Sequence, residues 1–109
     1  MADTKVLVLV GSLRAASLNR QLAEVAVESA PEGVTVRVAD GLADLPFYNE
    51  DIDNDSAPEA VVALRQIAGD ADAILAVTPE YNGTIPAVLK NAIDWLSRPY
   101  GSGAVAGKP

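Results

Sequence analysis

The stretch that decides the fold is Lys5–Arg20, "KVLVLVGSLRAASLNR". It opens with Lys5–Val10, a compact β-branched apolar run without polar alternation, which is typical of a strand buried on both faces of a parallel sheet. Gly11 then lets the chain leave the strand steeply. Apolar residues recur at helical spacing from Leu18 onward. The stretch therefore predicts a central strand, a tight turn and a helix.

The remaining sequence repeats this alternation of strand and helix. The valines of "VTVRVAD" alternate and predict a second strand that is less buried on one face. A long loop follows, and a capping box of Ser56 and Glu59 predicts the start of the second helix. The other predicted boundaries are the end of the first helix at Pro31 and Gly33, the end of the second helix near Gly69, a third buried strand in "ADAILAVT", and a third helix from near Pro86 to around Arg98.

The order βαβαβα predicts an α/β fold, a doubly wound parallel sheet between two helical layers. About three strands are present, in one domain over residues 1–109. In such sheets, ligands bind at the carboxyl ends of the strands where the strand order reverses. Two unusual turns, "GSLRAASLN" and "PEYNG", follow predicted buried strands at that edge.

The composition excludes several kinds of chemistry. The chain has no cysteine and no histidine, so thiolate nucleophiles, imidazole bases and the usual zinc ligands are absent. Chemistry must then come from carboxylates, hydroxyls, the backbone or a bound cofactor. The net charge of −7 and the lack of a basic stripe argue against nucleic acid as a partner.

The sequence predicts no association with membranes. Its longest purely apolar runs have five residues, as in Val6–Val10, and are far too short to span a bilayer, and "MADTK" lacks the pattern of a signal peptide. We expect a soluble cytoplasmic protein.

The opening turn carries the parts of an anion-binding site. Ser12 and Ser17 supply hydroxyls, Asn19 an amide and Arg14 a guanidinium, and the helix from Leu18 begins with free N–H groups. Arg20 lies within reach of the same small anion. The spacing matches neither the P-loop nor GxGxxG, which disfavours nucleoside triphosphates and dinucleotides. The alternative is a serine-capped helix with a solvated Arg14.

The second turn, "TPEYNGTIP", is explained in part by its turn-forming residues, proline, asparagine and glycine. Turning does not require Glu80 or Tyr81, however. Tyr81 offers a flat apolar face, and the amides of residues 80–83 would donate to a planar heterocycle. One turn suits a phosphate and the other a ring system, a combination that suits FMN at the first and third strands of a flavodoxin-like sheet.

The segments "GSLRAASLNRQLAE" and "VTPEYNGTIPAVLKNAIDWLSRP" closely resemble the NAD(P)H-dependent FMN reductase family, which includes quinone, chromate and azo-dye reductases. "LPFYNED" between them is also similar. The resemblance implies a flavodoxin-like fold, noncovalent FMN, and homodimers or homotetramers. By position, the phosphate would be held by Ser12, Arg14, Ser17, Asn19 and the amide of Leu18. The isoalloxazine would be lined by Pro79, Glu80, Tyr81, Asn82 and Gly83.

The chain is shorter than the family pattern, in which two more strands and helices follow the "GKP" that ends this sequence. We therefore expect a domain truncated on its C-terminal side. The third strand would then have an exposed edge, with apolar surface beside it. Residues 104–109 would begin a fourth strand.

The resemblance implies an oxidoreductase in which NADPH or NADH delivers hydride to FMN, and the reduced flavin passes electrons to a quinone-like or other small oxidised acceptor. No side chain is assigned a catalytic role, because positioning and electronic tuning suffice for a flavin enzyme. One alternative is a non-catalytic FMN-binding or electron-transfer module. Another is a phosphate-binding or structural fragment without flavin.

Smaller signals concern the loop and the third helix. "DIDNDSAPEAVV" imitates a calcium loop, but Ser56 and Val62 stand where glycine and glutamate are needed, so we predict no metal site. We expect Phe47 and Tyr48 in the core or at the wall of the substrate pocket, and Trp95 and Tyr100 in the core or at a subunit interface. On the third helix, we expect a solvated face, with pairing to each other or to a partner subunit as the alternative, for Lys90, Asn91 and Asp94.

Overall fold

A computed structural model describes residues 3–109; residues 1 and 2, where "MADTK" begins, lie outside this range. The helices and strands are β1 Thr4–Val10, α1 Leu18–Glu28, β2 Val34–Val38, α2 Glu59–Asp70, β3 Ala73–Val77 and α3 Ala87–Leu96. Short 3₁₀ helices cover Leu42–Asp44 and Glu50–Ile52 within the long loop. The predicted order of strands and helices is confirmed. None of the helices in residues 3–109 has the length and apolar character needed to cross a membrane.

The sheet is parallel, with strand order β2-β1-β3. Because successive side chains of β1 point to opposite faces, Val8 and Val10 pack with Ala23 of α1 on one face. Leu7 and Leu9 pack with α2 and α3 on the other. The result is the flavodoxin-like three-layer arrangement that the sequence predicts, with β1 as the central strand.

The sequence predicts a buried third strand, but β3 is partly exposed. Leu75 is 40% exposed and Ala76 is also exposed, because β3 pairs only with β1 within residues 3–109 and leaves its other edge open. Residues 104–107 form turns, and residues 104–109 contain no strand. A single backbone hydrogen bond, 2.9 Å from the Ile74 N–H to the Pro109 carbonyl, reaches this edge.

The predicted capping box does not form. Pro58 occupies the N-cap of α2, and no side chain caps this helix end. Asn54 Oδ1 accepts from the Ser56 N–H at 2.8 Å, so Ser56 belongs to a local turn ahead of the helix. Asn54 therefore binds the Ser56 N–H that Glu59 would bind in a capping box, and Ser56 does not cap α2.

The long loop is fastened to α3 by buried polar side chains. Asn91 Oδ1 accepts from the Tyr48 N–H at 2.9 Å, and Asn91 Nδ2 donates to the Pro46 carbonyl at 3.0 Å. Trp95 Nε1 donates to the same carbonyl at 2.8 Å. The expectation for Asn91 is thus wrong, because this side chain is buried and not solvated. Trp95 is fully buried in the core, which is one of its two expected places.

A second contact joins this loop to α2. The guanidinium of Arg65 donates to both carboxylate oxygens of Asp53 at 2.8 and 3.1 Å, and to the Trp95 carbonyl at 3.0 and 2.9 Å. Tyr48 Oη donates to Asp53 at 3.0 Å. The hydrogen bond from Arg65 holds the pKa of Asp53 below its ordinary value of 3.8. Asp53, one of the alternating acidic residues of the calcium-like segment, therefore serves as the partner of an arginine.

We predict that Asp53→Asn lowers the free energy of unfolding by about 2 kcal/mol at neutral pH, because a charged hydrogen-bond acceptor is lost. The folded-state pKa is lowered, so the carboxylate stabilises the fold above its ordinary pKa, and this contribution disappears as the pH falls through the folded-state value. Urea unfolding from about pH 6 to about pH 2 should show the difference between wild type and variant narrowing.

The control is Asp55→Asn, which removes an exposed carboxylate that forms no hydrogen bond or ion pair within residues 3–109. Its unfolding free energy should follow that of the wild type throughout. A constant deficit for Asp53→Asn across this pH range would contradict the ion-pair explanation.

Candidate functional site

The loops after β1 and β3 touch at one glycine. The Gly11 N–H donates to the Val77 carbonyl at 2.9 Å, which extends the pairing of the two strands by one residue. A Cβ atom at Gly11 would lie 2.4 Å from Thr78 Oγ1 and 2.9 Å from Thr78 Cβ, closer than such atoms approach. Glycine is therefore required here for the two loops to lie side by side.

The first loop leads into a capped helix. Ser17 is buried, and its Oγ accepts from the Arg20 N–H at 3.1 Å as the N-cap of α1. Its own N–H donates to the Arg14 carbonyl at 3.2 Å. The serine-cap alternative is thus present in the structure, and it fixes the direction in which the first N–H groups of α1 point.

Most peptide N–H groups of this loop have no protein partner. Of those from Ser12 to Asn19, only the N–H of Ser17 donates a hydrogen bond within the part of the chain that the structure describes. These groups include the first two amides of α1, where the helix dipole adds partial positive charge. The loop and helix start therefore form a set of donors suited to an anion.

The two nearby arginines differ in their surroundings. Arg20 faces carboxylates, with its guanidinium 3.5 Å from Asp40 and 3.8 Å from Glu24. Arg14 is exposed and forms no ion pair among residues 3–109. Arg14 therefore keeps an uncommitted positive charge beside the free N–H groups, whereas Arg20 shares its charge with two carboxylates.

The second loop is a miniature hairpin. The N–H of Tyr81 donates to the Thr84 carbonyl at 2.9 Å, and the reverse bond measures 3.1 Å. Asn82 and Gly83 take φ values of 53° and 83°, which is the conformation of a type I′ turn and the reason for an Asn-Gly pair here. The Tyr81 amide is therefore engaged, which removes it from the amides expected to donate to a ring. Its side chain remains half exposed.

A cleft of about 540 Å³ lies between the two loops and the start of α3. Of the predicted site residues, it brings together Ser12, Arg14 and Tyr81. Its full lining is Gly11, Ser12, Leu13, Arg14, Tyr81, Pro86, Ala87 and Val88. Sequence reasoning missed Leu13 and the first turn of α3, although the latter directly follows the "PEYNG" turn.

The other predicted residues lie around this cleft or apart from it. Ser17 is beneath the loop as a helix cap, and Leu18 points outward, 76% exposed. Asn19 lines a separate groove between α1 and β3, about 480 Å³ in volume. The remaining residues belong to the turn that carries Tyr81 and do not line the cleft; they are Pro79, Glu80, Asn82 and Gly83.

The fold and cleft define a flavodoxin-like α/β protein with a loop of free N–H donors at the carboxyl edge of its sheet. The sequence profile of a family described as NADPH-dependent FMN reductase matches residues 4–109. The chain belongs to this family.

Similar proteins include a 2-hydroxy-1,4-benzoquinone reductase from a Burkholderia species, 48% identical over 105 residues, which cover 96% of this chain and 56% of that protein. A quinone reductase from Escherichia coli K12 is 42% identical with the same coverage. A solved structure, the flavoenzyme NAD(P)H:(acceptor) oxidoreductase FerB from Paracoccus denitrificans, is 45% identical with a TM-score of 0.87, covering 97% of this chain and 57% of that one. The chain thus spans little more than half the length of these relatives.

We predict that Gly11→Ala lowers the free energy of unfolding by about 1–3 kcal/mol, because its methyl group overlaps Thr78. Urea unfolding measures the change. Gly69→Ala in α2 is the control, since nothing lies within 4 Å of the added atom and alanine favours helix; it should be neutral or stabilising by up to about 1 kcal/mol. Equal stability of Gly11→Ala and wild type would contradict the close approach of the loops.

Proposed function

We propose that this protein is an NAD(P)H-dependent, FMN-containing oxidoreductase that passes electrons to a quinone. The observation that carries the proposal is the single cleft in which the free N–H groups and Arg14 lie beside the Tyr81 hairpin. Relatives named as quinone reductases and NAD(P)H-dependent FMN reductases support it.

The residues of the first loop fit the phosphate of FMN. Ser12 offers a hydroxyl, Arg14 a guanidinium without a competing carboxylate, and Leu18 an amide at a helix N-terminus. Charged hydrogen bonds of this kind are the stronger ones. Ser17 would act by holding the helix start in place, because its Oγ already accepts from the Arg20 N–H.

The hairpin of the second loop fits the ring system. Tyr81 presents a half-exposed aromatic face to the cleft, and its backbone is fixed by two hydrogen bonds to Thr84. Pro79, Glu80, Asn82 and Gly83 would act through the shape of this turn. Leu13, 63% exposed at the cleft, adds an apolar surface that a bound ring would cover.

When bound, FMN supplies the group that accepts hydride from a nicotinamide and donates electrons to a quinone. The chain's contribution is binding, orientation and charge. Arg14 and the loop amides provide local positive potential in a chain with a net charge of −7. These roles need neither histidine nor cysteine, which the sequence lacks.

We further propose that the protein works in the cytoplasm as a homodimer or homotetramer. The family resemblance supports this association. Sedimentation equilibrium of the FMN-loaded protein tests this, with a monomeric mass at all concentrations as the contrary result.

The catalytic proposal is tested by loading the chain with FMN, removing free flavin, and following NADPH or NADH oxidation with and without a quinone. Quinone-dependent turnover is the expected result. Stoichiometric FMN binding without turnover would instead identify a non-catalytic FMN-binding module. A chain that stays colourless would contradict flavin binding altogether.

We predict that Arg14→Ala weakens FMN binding by about ten- to a hundredfold, the loss that corresponds to one charge-assisted hydrogen bond. Quenching of flavin fluorescence in an equilibrium titration measures the dissociation constant. Arg20→Ala is the matched control, because Arg20 already faces Asp40 and Glu24, and its affinity should stay within about twofold of wild type. Unchanged affinity in Arg14→Ala would remove Arg14 from the phosphate site.

A further inference from the structure

Phe47, the one phenylalanine of the chain, is 81% exposed, yet both of its neighbours are held in place. The buried amide of Asn91 binds the Pro46 carbonyl on one side and the Tyr48 N–H on the other, at 3.0 and 2.9 Å. Trp95 Nε1 adds a third bond, to the Pro46 carbonyl. The backbone around Phe47 is therefore fixed from α3 while its ring faces solvent.

This arrangement reverses the usual order of burial, in which an apolar ring is covered and a polar amide is exposed. The aromatic ring that packs against the core is that of the next residue, Tyr48, which lies edge-on to Trp95 with ring centroids 4.7 Å apart. Tyr48 packs in the core and Asn91 fixes the loop backbone, but neither contact explains an aromatic side chain at position 47. Aromatic residues are enriched where proteins bind partners, and a ring on a fixed backbone loses less conformational freedom on binding.

A cleft of about 350 Å³ lies beside the ring, lined by Phe47, Tyr48, Ala87, Lys90, Asn91 and Asp94. Ala87 also lines the larger cleft that holds Arg14 and Tyr81. The two clefts are thus neighbours across the first turn of α3. Lys90 donates to Asp94 along this helix, and its remaining N–H donors are available to a carbonyl oxygen.

We propose that Phe47 is an acceptor-binding residue, and that its ring stacks against the ring of the quinone while the quinone's apolar edge lies over Ala87. This inference rests on the proposed function and names a residue that selects flat aromatic acceptors. The adjoining clefts and the aromatic ring favour a planar small molecule as the occupant. Contact with a second copy of the chain is the alternative that the test must separate.

Because the chain has one phenylalanine, ring-¹³C-phenylalanine labelling reports on Phe47 alone. We expect its aromatic resonances in the FMN-loaded protein to shift in a saturable way with 2-methyl-1,4-naphthoquinone, without reductant present. Cyclohexane-1,4-dione, a diamagnetic compound with two carbonyl groups but no flat conjugated ring, should not shift them. The titration is repeated with flavin-free protein, so that failure to bind FMN, which would contradict the proposed function, is seen separately.

Calorimetric titration of the same quinone into variants gives the second readout. Phe47→Ala should raise its dissociation constant by about fivefold, the change that an aromatic contact of about 1 kcal/mol represents. Phe47→Tyr keeps the ring, and Tyr100→Ala removes an aromatic that is 93% exposed elsewhere; both should remain within about twofold of wild type. The FMN affinity should be the same in all variants.

Three results would overturn the proposal. One is the absence of saturable Phe47 shifts in both the loaded and the flavin-free protein. Another is equal quinone affinity in wild type and Phe47→Ala. The third is Phe47 shifts that depend on protein concentration and not on quinone, because these would assign the ring to contact between copies. Saturable shifts in the flavin-free protein alone would still support the assignment of Phe47.

Discussion

The close approach of Gly11 to Thr78 is the contact on which the candidate site depends. It continues the pairing of β1 with β3 through the bond from the Gly11 N–H to the Val77 carbonyl. Two loops far apart in the sequence therefore leave the sheet side by side. One then turns into the N-terminus of α1, and the other folds into the Tyr81 hairpin, so that the cleft forms between them. A glycine with no unusual backbone angle is required here for spacing alone.

Local electrostatics at this cleft oppose the charge of the whole protein. The chain is acidic overall, yet unpaired amides and Arg14 meet at one edge of the sheet. Within residues 3–109, Arg14 stays free of carboxylates because the nearby Glu24 and Asp40 pair with Arg20. A small anion would thus meet a locally positive site on an acidic protein.

Much of the fold followed from sequence because β1, the helices and their order have strong periodic signals. What failed depended on distant or competing partners. Asn91 is buried because its side-chain amide binds the backbone of a loop about 45 positions away in the sequence. Ser56 does not cap α2, because its N–H donates to the side chain of Asn54. In the site, Ser12, Arg14 and Tyr81 line one cleft, whereas the groove that Asn19 lines and the contribution of Ala87 depend on how the helices pack.

The most direct test of the central claim is to compare the affinity of the flavin-free protein for FMN with its affinity for riboflavin, which lacks the phosphate. If the free N–H groups and Arg14 form a phosphate site, FMN should bind about tenfold more tightly or better, and added salt should reduce the difference. Equal dissociation constants for the two flavins would contradict the account, because the anion-binding loop would then contribute nothing to recognition.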